Sequence, residues 1–381
     1  MKIAYITETW PPELNGVALT AARVVNHLRT RGHGVELVRP RQYAGDAGDA
    51  ETVTVPGVPL PMYRELKFGL PARQRLLKRW RQSRPDVVHI ATEGPLGWSA
   101  CSAARALDIP VTSDFRTRFD EYGGIYGVKA VVPLVRAYLR GFHNRTACTF
   151  VPTEEIATEL SSQGFRNLVV SGRGVDGAAY SPFYRSESLR RSWKAIGPVA
   201  LYVGRLAAEK NLMTVVEAFE AIQIAEPTAQ LVFVGDGPMR EELEARCPYA
   251  IFAGYQRGSI LAAYYASADM FLFPSLTETF GNVTLEAMAS GLPVVAYDTA
   301  AAGVHIQDEV NGMTVAPGDQ FAFVRAAVSL ACDEPLRERL GEAARQTARS
   351  ASWSHILADF ELALHANCTQ GSSNDIRACL V

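Results

Sequence analysis

Short apolar runs alternate with amphipathic segments of helical period along almost the whole chain. Runs of four or five apolar residues bounded by turn residues are typical of buried parallel strands, whereas apolar residues spaced three and four apart are typical of helices. The predicted strands are 2–6, 35–39, 87–91, 110–113, 149–152, 168–170, 199–203, 230–234, 251–257, 270–274 and 293–296. The main predicted helices are about 19–32, 64–84, 154–163, 213–224, 239–246, 259–266, 281–290, 321–330, 335–349 and 353–366.

The alternation of strands with helices predicts an α/β fold with parallel, doubly wound sheets. It occurs twice, and 381 residues are too many for one typical core, so two Rossmann-like domains are expected. The predicted parts are a first domain at 1–172, a linker at 173–186, a second domain at 187–351, a final helix at 352–367 and a loose tail at 368–381.

One stretch of the second domain places two carboxylates around a helix start. Glu278 lies in the loop after strand 270–274, and Glu286 lies inside the helix that begins near Gly281. The N–H groups near Phe280, Gly281 and Asn282 have no partners within the helix and suit an anion, most often a phosphate. Carboxylates beside such a site are suited to hydroxyls, and a ligand with phosphates and many hydroxyls is a nucleotide sugar.

For a lone pair of glutamates, a helix-entry residue and a solvated helix face would be the favoured interpretation. Here the pair lies at the carboxyl end of a core strand, where open parallel sheets bind ligands, and that position favours a functional role.

Two cations flank the loop after strand 199–203. Arg205 and Lys210 would both face the carboxyl end of the sheet, where they can hold a diphosphate, Arg205 in bidentate fashion and Lys210 as a point charge. Two solvated surface cations are the alternative, and their position in the domain that holds Glu278 and Glu286 favours the phosphate role. No DxD-type pair lies beside them, so no metal is expected.

The loop after the first strand contains Gly16, which would let a ligand approach the backbone closely. A turn glycine with no ligand is an equal alternative for this loop. The loop is not GxGxxG, which counts against a dinucleotide cofactor, and we expect no cofactor. His89, in the strand at 87–91, is expected in the core or behind the site.

Composition limits the class of protein and its compartment. Hydrophobic residues make up 48% of the chain and charged residues 20%, as in ordinary soluble globular proteins. The N-terminus enters a strand directly, and no apolar run is long enough to cross a bilayer, so a cytoplasmic protein is expected. The six cysteines show no CxxC or CxxH spacing and indicate neither zinc nor a disulfide framework.

The charge is unevenly distributed. Residues 1–175 carry 23 Lys and Arg against 16 Asp and Glu, whereas the remainder carries 15 against 24. The basic segments 64–84 and 116–145 can lie on an anionic membrane surface, which would make the protein peripheral at the inner face of the cytoplasmic membrane. For 116–145, a core-packing helix with solvated arginines is the alternative, and both interpretations stay open. No nucleic-acid partner is expected.

Five motifs follow one another along the chain. They are Pro11-Pro12 with Asn15-Gly16-Val17, Gly174-Val175-Asp176, Gly204-Arg205 with Glu209-Lys210-Asn211, Gly235-Asp236-Gly237-Pro238, and Glu278-Thr279-Phe280-Gly281 with Glu286-Ala287-Met288-Ala289 and Gly291-Leu292-Pro293-Val294. In this order they resemble the retaining GT-B glycosyltransferases of family 4, over essentially the whole chain. The resemblance implies two Rossmann-like domains facing a cleft, with a last helix that crosses back to the first.

The resemblance also implies roles for the donor site. Arg205 and Lys210, beside Gly204, would bind the diphosphate, Glu286 the ribose hydroxyls and Glu278 the transferred sugar. Gly16 would meet the diphosphate from the other domain.

On the acceptor side this chain departs from the family. Many members have a His after the strand that here ends at Ser113, and this chain has Asp114. Asp114 is therefore a candidate for orienting a sugar hydroxyl or the acceptor, together with Asn15 and Arg116. The predicted catalytic residues are Glu278, Arg205, Lys210 and Asp114.

The first functional hypothesis is a retaining α-glycosyltransferase that moves a hexose, by resemblance mannose from GDP-mannose, to a lipid or lipid-linked glycan. The alternatives are a transferase that uses a UDP-sugar on a soluble or polysaccharide acceptor, a GT-B-type nucleotide-sugar epimerase, and a non-catalytic scaffold at the membrane surface.

Overall fold

The computed structural model describes residues 1–13, 16–43, 45–60, 63–116 and 132–369. Within these residues the chain forms two compact units, one containing the chain up to Gly172 together with the last helix from Ile356, and the other containing Arg173–His355. Each unit is built on a parallel sheet, so the predicted α/β fold with two doubly wound sheets is confirmed.

Seven parallel strands form the sheet of the first unit. Ile3, Tyr5 and Ile6 are at most 1% exposed, because helices and loops cover both faces, and the strands are accordingly continuous apolar runs. The strands of this unit are β1 (Lys2–Ile6), β2 (Gly34–Pro40), β3 (Thr52–Val55), β4 (Gly57–Leu60), β5 (Tyr63–Gly69), β6 (Val87–Ile90), β7 (Val111–Asp114), β8 (Cys148–Val151) and β9 (Leu168–Val170). The order in the sheet is β3-β2-β1-β6-β7-β8-β9, and β4 and β5 form a separate antiparallel pair.

Amphipathic helices connect the strands of the first unit. Apolar residues at helical spacing, such as Val24 and Leu28, face the core, and the starts carry the expected signals. Pro95 is the first residue of one helix, and the Thr153 side chain accepts from the Ile156 N–H at the start of another. The helices are α1 (Gly16–Thr30), α2 (Arg73–Gln82), α3 (Pro95–Arg105), α4 (Val132–His143) and α5 (Glu154–Ser162).

The basic helix predicted over 64–84 is wrong in its first part, since β5 ends at Gly69 and α2 begins at Arg73. Pro71 disfavours helical backbone in the residue before it. The N–H groups of Gly69 and Leu70 instead bond to Glu8 Oε2 at 2.9 Å and to the Pro56 carbonyl at 2.8 Å. In the segment 116–145, residues 117–131 lie outside the described residues, and α4 follows them.

The second unit repeats the architecture with six parallel strands. They are β10 (Val199–Val203), β11 (Gln230–Val234), β12 (Ile251–Phe252), β13 (Met270–Phe273), β14 (Val294–Tyr297) and β15 (Met313–Val315), in the order β12-β11-β10-β13-β14-β15. The helices are α6 (Glu187–Ser192), α7 (Leu212–Ala225), α8 (Arg240–Arg246), α9 (Gly258–Ser267), α10 (Asn282–Ala289), α11 (Ala300–His305), α12 (Gln320–Cys332) and α13 (Glu334–Ser350). The predicted strands and helices of this unit are confirmed to within two or three residues, except that β12 covers only Ile251–Phe252 of the strand predicted at 251–257.

The last helix, α14 (Trp353–Thr369), belongs to the first unit from Ile356 onward, as the resemblance predicts. The Phe360 ring centroid lies 4.9 Å from those of His89 and Phe150, so the helix completes the core beside β6 and β8. Glu361 is 9% exposed and contacts Arg31 Nε at 3.2 Å and His33 Nε2 at 2.9 Å. No helix in the described part of the chain is long and apolar enough to cross a membrane.

Candidate functional site

In the second unit, the sheet order reverses between β10 and β13, the first and fourth strands of the unit. Ligands of open parallel sheets bind beyond the carboxyl ends of the strands at this point, because the flanking connections leave in opposite directions. The loops that start here carry Arg205 and Lys210 after β10, and Glu278 after β13. The predicted donor residues of the two loops therefore leave the sheet at the same place.

Glycines hold the loops after β10 and β11 in close contact. A Cβ at Gly235 would lie 1.9 Å from the Gly204 carbonyl oxygen, and one at Gly237 would lie 2.4 Å from the Leu206 carbonyl oxygen. The Leu206 N–H also donates to the Asp236 carbonyl at 2.9 Å. The second loop thus fixes the backbone around Arg205, so the long cationic side chain extends from a defined position.

Each cation of the first loop is paired with a carboxylate. Lys210 Nζ lies 2.5 Å from Glu278 Oε1, and Arg205 Nη1 lies 3.8 Å from Glu209 Oε1. The Glu209 side chain is 2% exposed, whereas that of Arg205 is 42% exposed. The buried Glu209 carboxylate therefore holds one end of a guanidinium that is itself partly exposed.

The Glu278 loop turns sharply into α10 at Gly281. Gly281 has φ of 84°, in the left-handed region that favours glycine, and it directly precedes Asn282, the first residue of α10. The Phe280 carbonyl accepts from the Ala301 N–H at 2.7 Å, which ties this turn to α11. A Cβ at Gly281 would lie 3.4 Å from Glu278 Cγ, so the glutamate and the helix start are neighbours.

Glu286 lies within α10 and is held from the neighbouring helix α9. The Tyr265 hydroxyl donates to Glu286 Oε2 at 3.0 Å. Burial, and next the charge of Glu286, raise the pKa of Tyr265 well above its usual value, so the phenol stays a donor. One Glu286 oxygen is thereby fixed by the protein, and the half-buried carboxylate can accept hydrogen bonds from a ligand.

The first unit holds the remaining sequence-based candidates. Gly16 is the first residue of α1, and its carbonyl accepts from Thr20 Oγ1 at 2.7 Å, whereas Asn15 lies outside the described residues. Asp114 ends β7 and is 4% exposed. It contacts Arg116 Nε at 2.5 Å and His89 Nε2 at 3.1 Å. Asp114 and Arg116 thus form a buried ion pair, and His89 lies in the core, as predicted, behind Asp114.

Two residues of the second unit's site are missing from the sequence-based candidates. Glu209 follows Arg205 by four residues, a spacing that brings side chains together around a helical turn, and that spacing could have indicated it. Tyr265 lies 21 residues before Glu286 in another helix. The contact is tertiary, so no local pattern could have indicated it.

A separate group of possible metal ligands belongs to the first unit. His33, Glu361 and His365 bring ligand atoms within 4.8 Å of one another. The Arg31 guanidinium occupies Glu361 Oε2 at 3.2 Å, and His27 Nε2 approaches the same oxygen at 3.2 Å. A cationic group on the shared carboxylate opposes a metal ion, so this arrangement is an ion-pair cluster that fastens α14.

The sequence matches known families over most of its length. Residues 14–178 match Glycosyltransferase Family 4, and residues 197–333 match Glycosyl transferases group 1. A GDP-mannose-dependent alpha-mannosyltransferase of Mycolicibacterium smegmatis is 34% identical over 93% of this chain and 94% of its own. An alpha-monoglucosyldiacylglycerol synthase of Streptococcus pneumoniae is 27% identical over 82% of this chain and 74% of its own. Sucrose-phosphate synthase of Thermosynechococcus elongatus has a TM-score of 0.76 at 18% identity, covering 96% of this chain and 98% of its own.

The two parallel-sheet units and the likeness to this solved structure show the GT-B fold. The chain belongs to glycosyltransferase family 4, as its motifs predict.

Gly281→Ala tests whether the turn into α10 serves the reaction. Gly318 has φ of 82° and no neighbour within 4 Å of an added Cβ, so Gly318→Ala is a matched control for backbone strain. Both variants should lose about 1–2 kcal/mol of unfolding free energy, because alanine is strained in this conformation. Only Gly281→Ala should also lose glycosyl transfer, by about tenfold or more. Equal activity of the two variants would show that the turn only shapes the fold.

Proposed function

We propose that the protein transfers a hexose, mannose, from GDP-mannose to a lipid or lipid-linked glycan with retention of the anomeric configuration. The observation that carries the proposal is the group of Arg205, Lys210, Glu278 and Glu286 beyond the reversal point of the second sheet. The relative from Mycolicibacterium smegmatis, a GDP-mannose-dependent alpha-mannosyltransferase at 34% identity, supports the choice of donor.

The donor would be held by charge at one end and by hydroxyl contacts at the other. Arg205 would bind the diphosphate with Lys210 beside it, and Glu286, already fixed by Tyr265, would accept from the ribose hydroxyls. Glu278 would contact the transferred sugar, next to the N–H groups at the start of α10. Because Lys210 forms an ion pair with Glu278, the groups that bind the phosphate end and the sugar end of the donor would be held next to each other.

Catalysis in this proposal is mainly stabilisation of the departing phosphate. The bond that breaks joins the anomeric carbon to the diphosphate oxygen, and negative charge grows on that oxygen as it leaves. Arg205, Lys210 and the amino end of α10 would stabilise this charge without a metal. The acceptor hydroxyl would attack from the face that the diphosphate leaves and pass its proton to the leaving phosphate, which accounts for retention without a protein nucleophile.

A second candidate is glucosyl transfer to a lipid. The alpha-monoglucosyldiacylglycerol synthase of Streptococcus pneumoniae is 27% identical and aligns over 82% of this chain, and its name refers to both a glucosyl group and a diacylglycerol. This relative supports a lipid acceptor and leaves the donor sugar as the difference between the two candidates.

A panel of GDP-, UDP- and ADP-sugars tests the donor. With EDTA present throughout, we expect the protein to hydrolyse GDP-mannose slowly without acceptor and to consume it much faster when a lipid acceptor extract is added. The product anomer, determined by NMR, should match the donor. Consumption of a UDP-sugar and of no other donor would favour the second candidate. Epimerisation of the donor in the absence of acceptor would indicate an epimerase, and failure to bind any nucleotide sugar would indicate a scaffold.

Arg205→Ala should lower kcat by about a hundredfold, since removing one preorganised charge-stabilising contact costs on the order of 3 kcal/mol. The control is Arg191→Ala, an exposed arginine of α6 in the same unit. Steady-state rates on the best donor measure both. An unchanged kcat in Arg205→Ala would contradict the proposed charge role.

In this proposal the first unit would contact a membrane only through charged side chains. Helix α2 exposes Arg73, Arg75, Lys78, Arg79 and Arg81 on its outer side, while Leu76, Leu77 and Trp80 are buried. The helix presents cations without exposed apolar side chains, so it would contact an anionic surface rather than insert into it.

Sedimentation with phosphatidylglycerol vesicles tests this surface. Binding at low salt should fall as salt rises, and a Lys78→Gln/Arg81→Gln variant should bind less than an Arg191→Gln control. Absence of binding at low salt, or equal binding by the variant and the control, would refute the membrane surface on α2.

A further inference from the structure

Three strands at the reversal point of the first sheet each lead to a buried acidic side chain. The sheet order places β1, β6 and β7 side by side. Glu8 follows β1, Glu93 follows β6 and Asp114 ends β7, and each is at most 5% exposed. Sequence reasoning indicated only Asp114, because the other two follow their strands without a recognisable motif.

Glu8 is fully used by the fold. It accepts N–H groups from Gly69 at 2.9 Å, from Leu96 at 2.9 Å and from Gly97 at 3.4 Å, joining β5 to the start of α3. A Cβ at Gly94 would lie 2.2 Å from Glu8 Oε1, so the loop is shaped around this carboxyl. We assign Glu8 a structural role.

Two other polar atoms of this region are buried and have no hydrogen-bond partner among the residues that the structure describes. They are Glu93 Oε1 and Arg116 Nη1. The rest of the Arg116 guanidinium is bound to Asp114. The two side chains are close enough for the charge of each to act on the pKa of the other. Native proteins leave few buried polar atoms unpaired, so these two atoms point to a ligand group.

The charges around these atoms suit a neutral ligand group. Burial, together with the charges of Glu8 and Asp114, raises the pKa of Glu93 to about 8 although the Arg116 charge lowers it. At neutral pH Glu93 is therefore protonated, and Arg116 and Asp114 balance each other. An anionic group would face Asp114 at close range, whereas a hydroxyl adds no charge and can both donate and accept.

We propose that Glu93 and Arg116 bind one hydroxyl of the acceptor, which donates to Glu93 Oε1 and accepts from Arg116 Nη1. This proposal rests on the proposed function and extends it with a positioning residue, Glu93, and with a hydroxyl-bearing ligand class for the first unit. The Tyr138 hydroxyl donates to the Glu93 carbonyl at 2.6 Å, and its side chain is 42% exposed, so the loop is connected to the surface beside α4.

Octyl glucoside, whose strong hydrogen-bonding groups are mainly hydroxyls, is a probe that needs no donor chemistry. Titration below its micelle concentration, followed by calorimetry or ligand-observed NMR, should show saturable binding to the full chain. Glu93→Ala and Arg116→Ala should each weaken Kd by about tenfold, whereas Glu93→Gln, which keeps a donor and an acceptor, should stay within about threefold. Glu154→Ala, an exposed carboxyl of α5, is the control.

The double variant Glu93→Ala/Arg116→Ala separates a shared hydroxyl from independent effects. If both side chains hold the same hydroxyl, the double variant should bind only slightly less tightly than either single variant. Above pH 8 binding to the native protein should strengthen as Glu93 ionises, because a carboxylate accepts the hydrogen bond of the hydroxyl more strongly than a protonated carboxyl does, while Glu93→Gln should not show this step. Glu8, Asp114, His89, Tyr5, Tyr138 and Arg116 face the same region in both proteins, so the difference belongs to Glu93.

Unfolding temperature and GDP affinity distinguish loss of this site from loss of the fold or of the proposed function. GDP binding belongs to the second unit and should be unchanged in all variants. Octyl glucoside binding that is absent in the native protein, or equal in native protein and both alanine variants, would overturn the proposal and assign the two atoms to a buried water only. Absence of GDP binding by the native protein would overturn the proposed function instead.

Discussion

In both units the sheet winds outward in two directions from its first strand, and this winding determines where polar chemistry can occur. The strands themselves are buried on both faces and cannot hold charged groups without large desolvation costs. Beyond the carboxyl ends, where the order reverses between β1 and β6 and between β10 and β13, backbone N–H groups and loops are available to stabilise charge. Charged side chains of each unit collect at this point.

The two units compensate their buried charges differently. In the second unit each cation is matched by a carboxylate, Lys210 by Glu278 and Arg205 by Glu209. In the first unit Arg116 pairs with Asp114, and burial raises the pKa of Glu8 to about 7 and that of Glu93 to about 8, so protons rather than cations neutralise the other two carboxyls. The arrangement in the second unit suits a charged ligand such as a diphosphate. The arrangement in the first unit suits a neutral, hydroxyl-bearing ligand.

Most of the fold could be predicted because buried parallel strands are continuous apolar runs, and β1, β9, β10 and β11 begin and end where the sequence indicates. The hairpin of β4 and β5 could not, since its stability comes from pairing and from Glu8, a contact 61 residues away in the chain. Motifs indicated the donor-side residues, because ligand-binding loops in parallel sheets follow strand ends. Tyr265 and Glu93 had no such motif, and their significance comes from tertiary neighbours and burial.

The return of α14 to the first unit affects how the chain can fold during synthesis. Residues up to Gly172 leave the ribosome first, yet the core beside β6 and β8 lacks the Phe360 ring until almost the whole chain has been made. His89 and Phe150 therefore remain partly uncovered while the second unit, whose described residues are Arg173–His355, can already fold. The half of the protein that is made first is completed last.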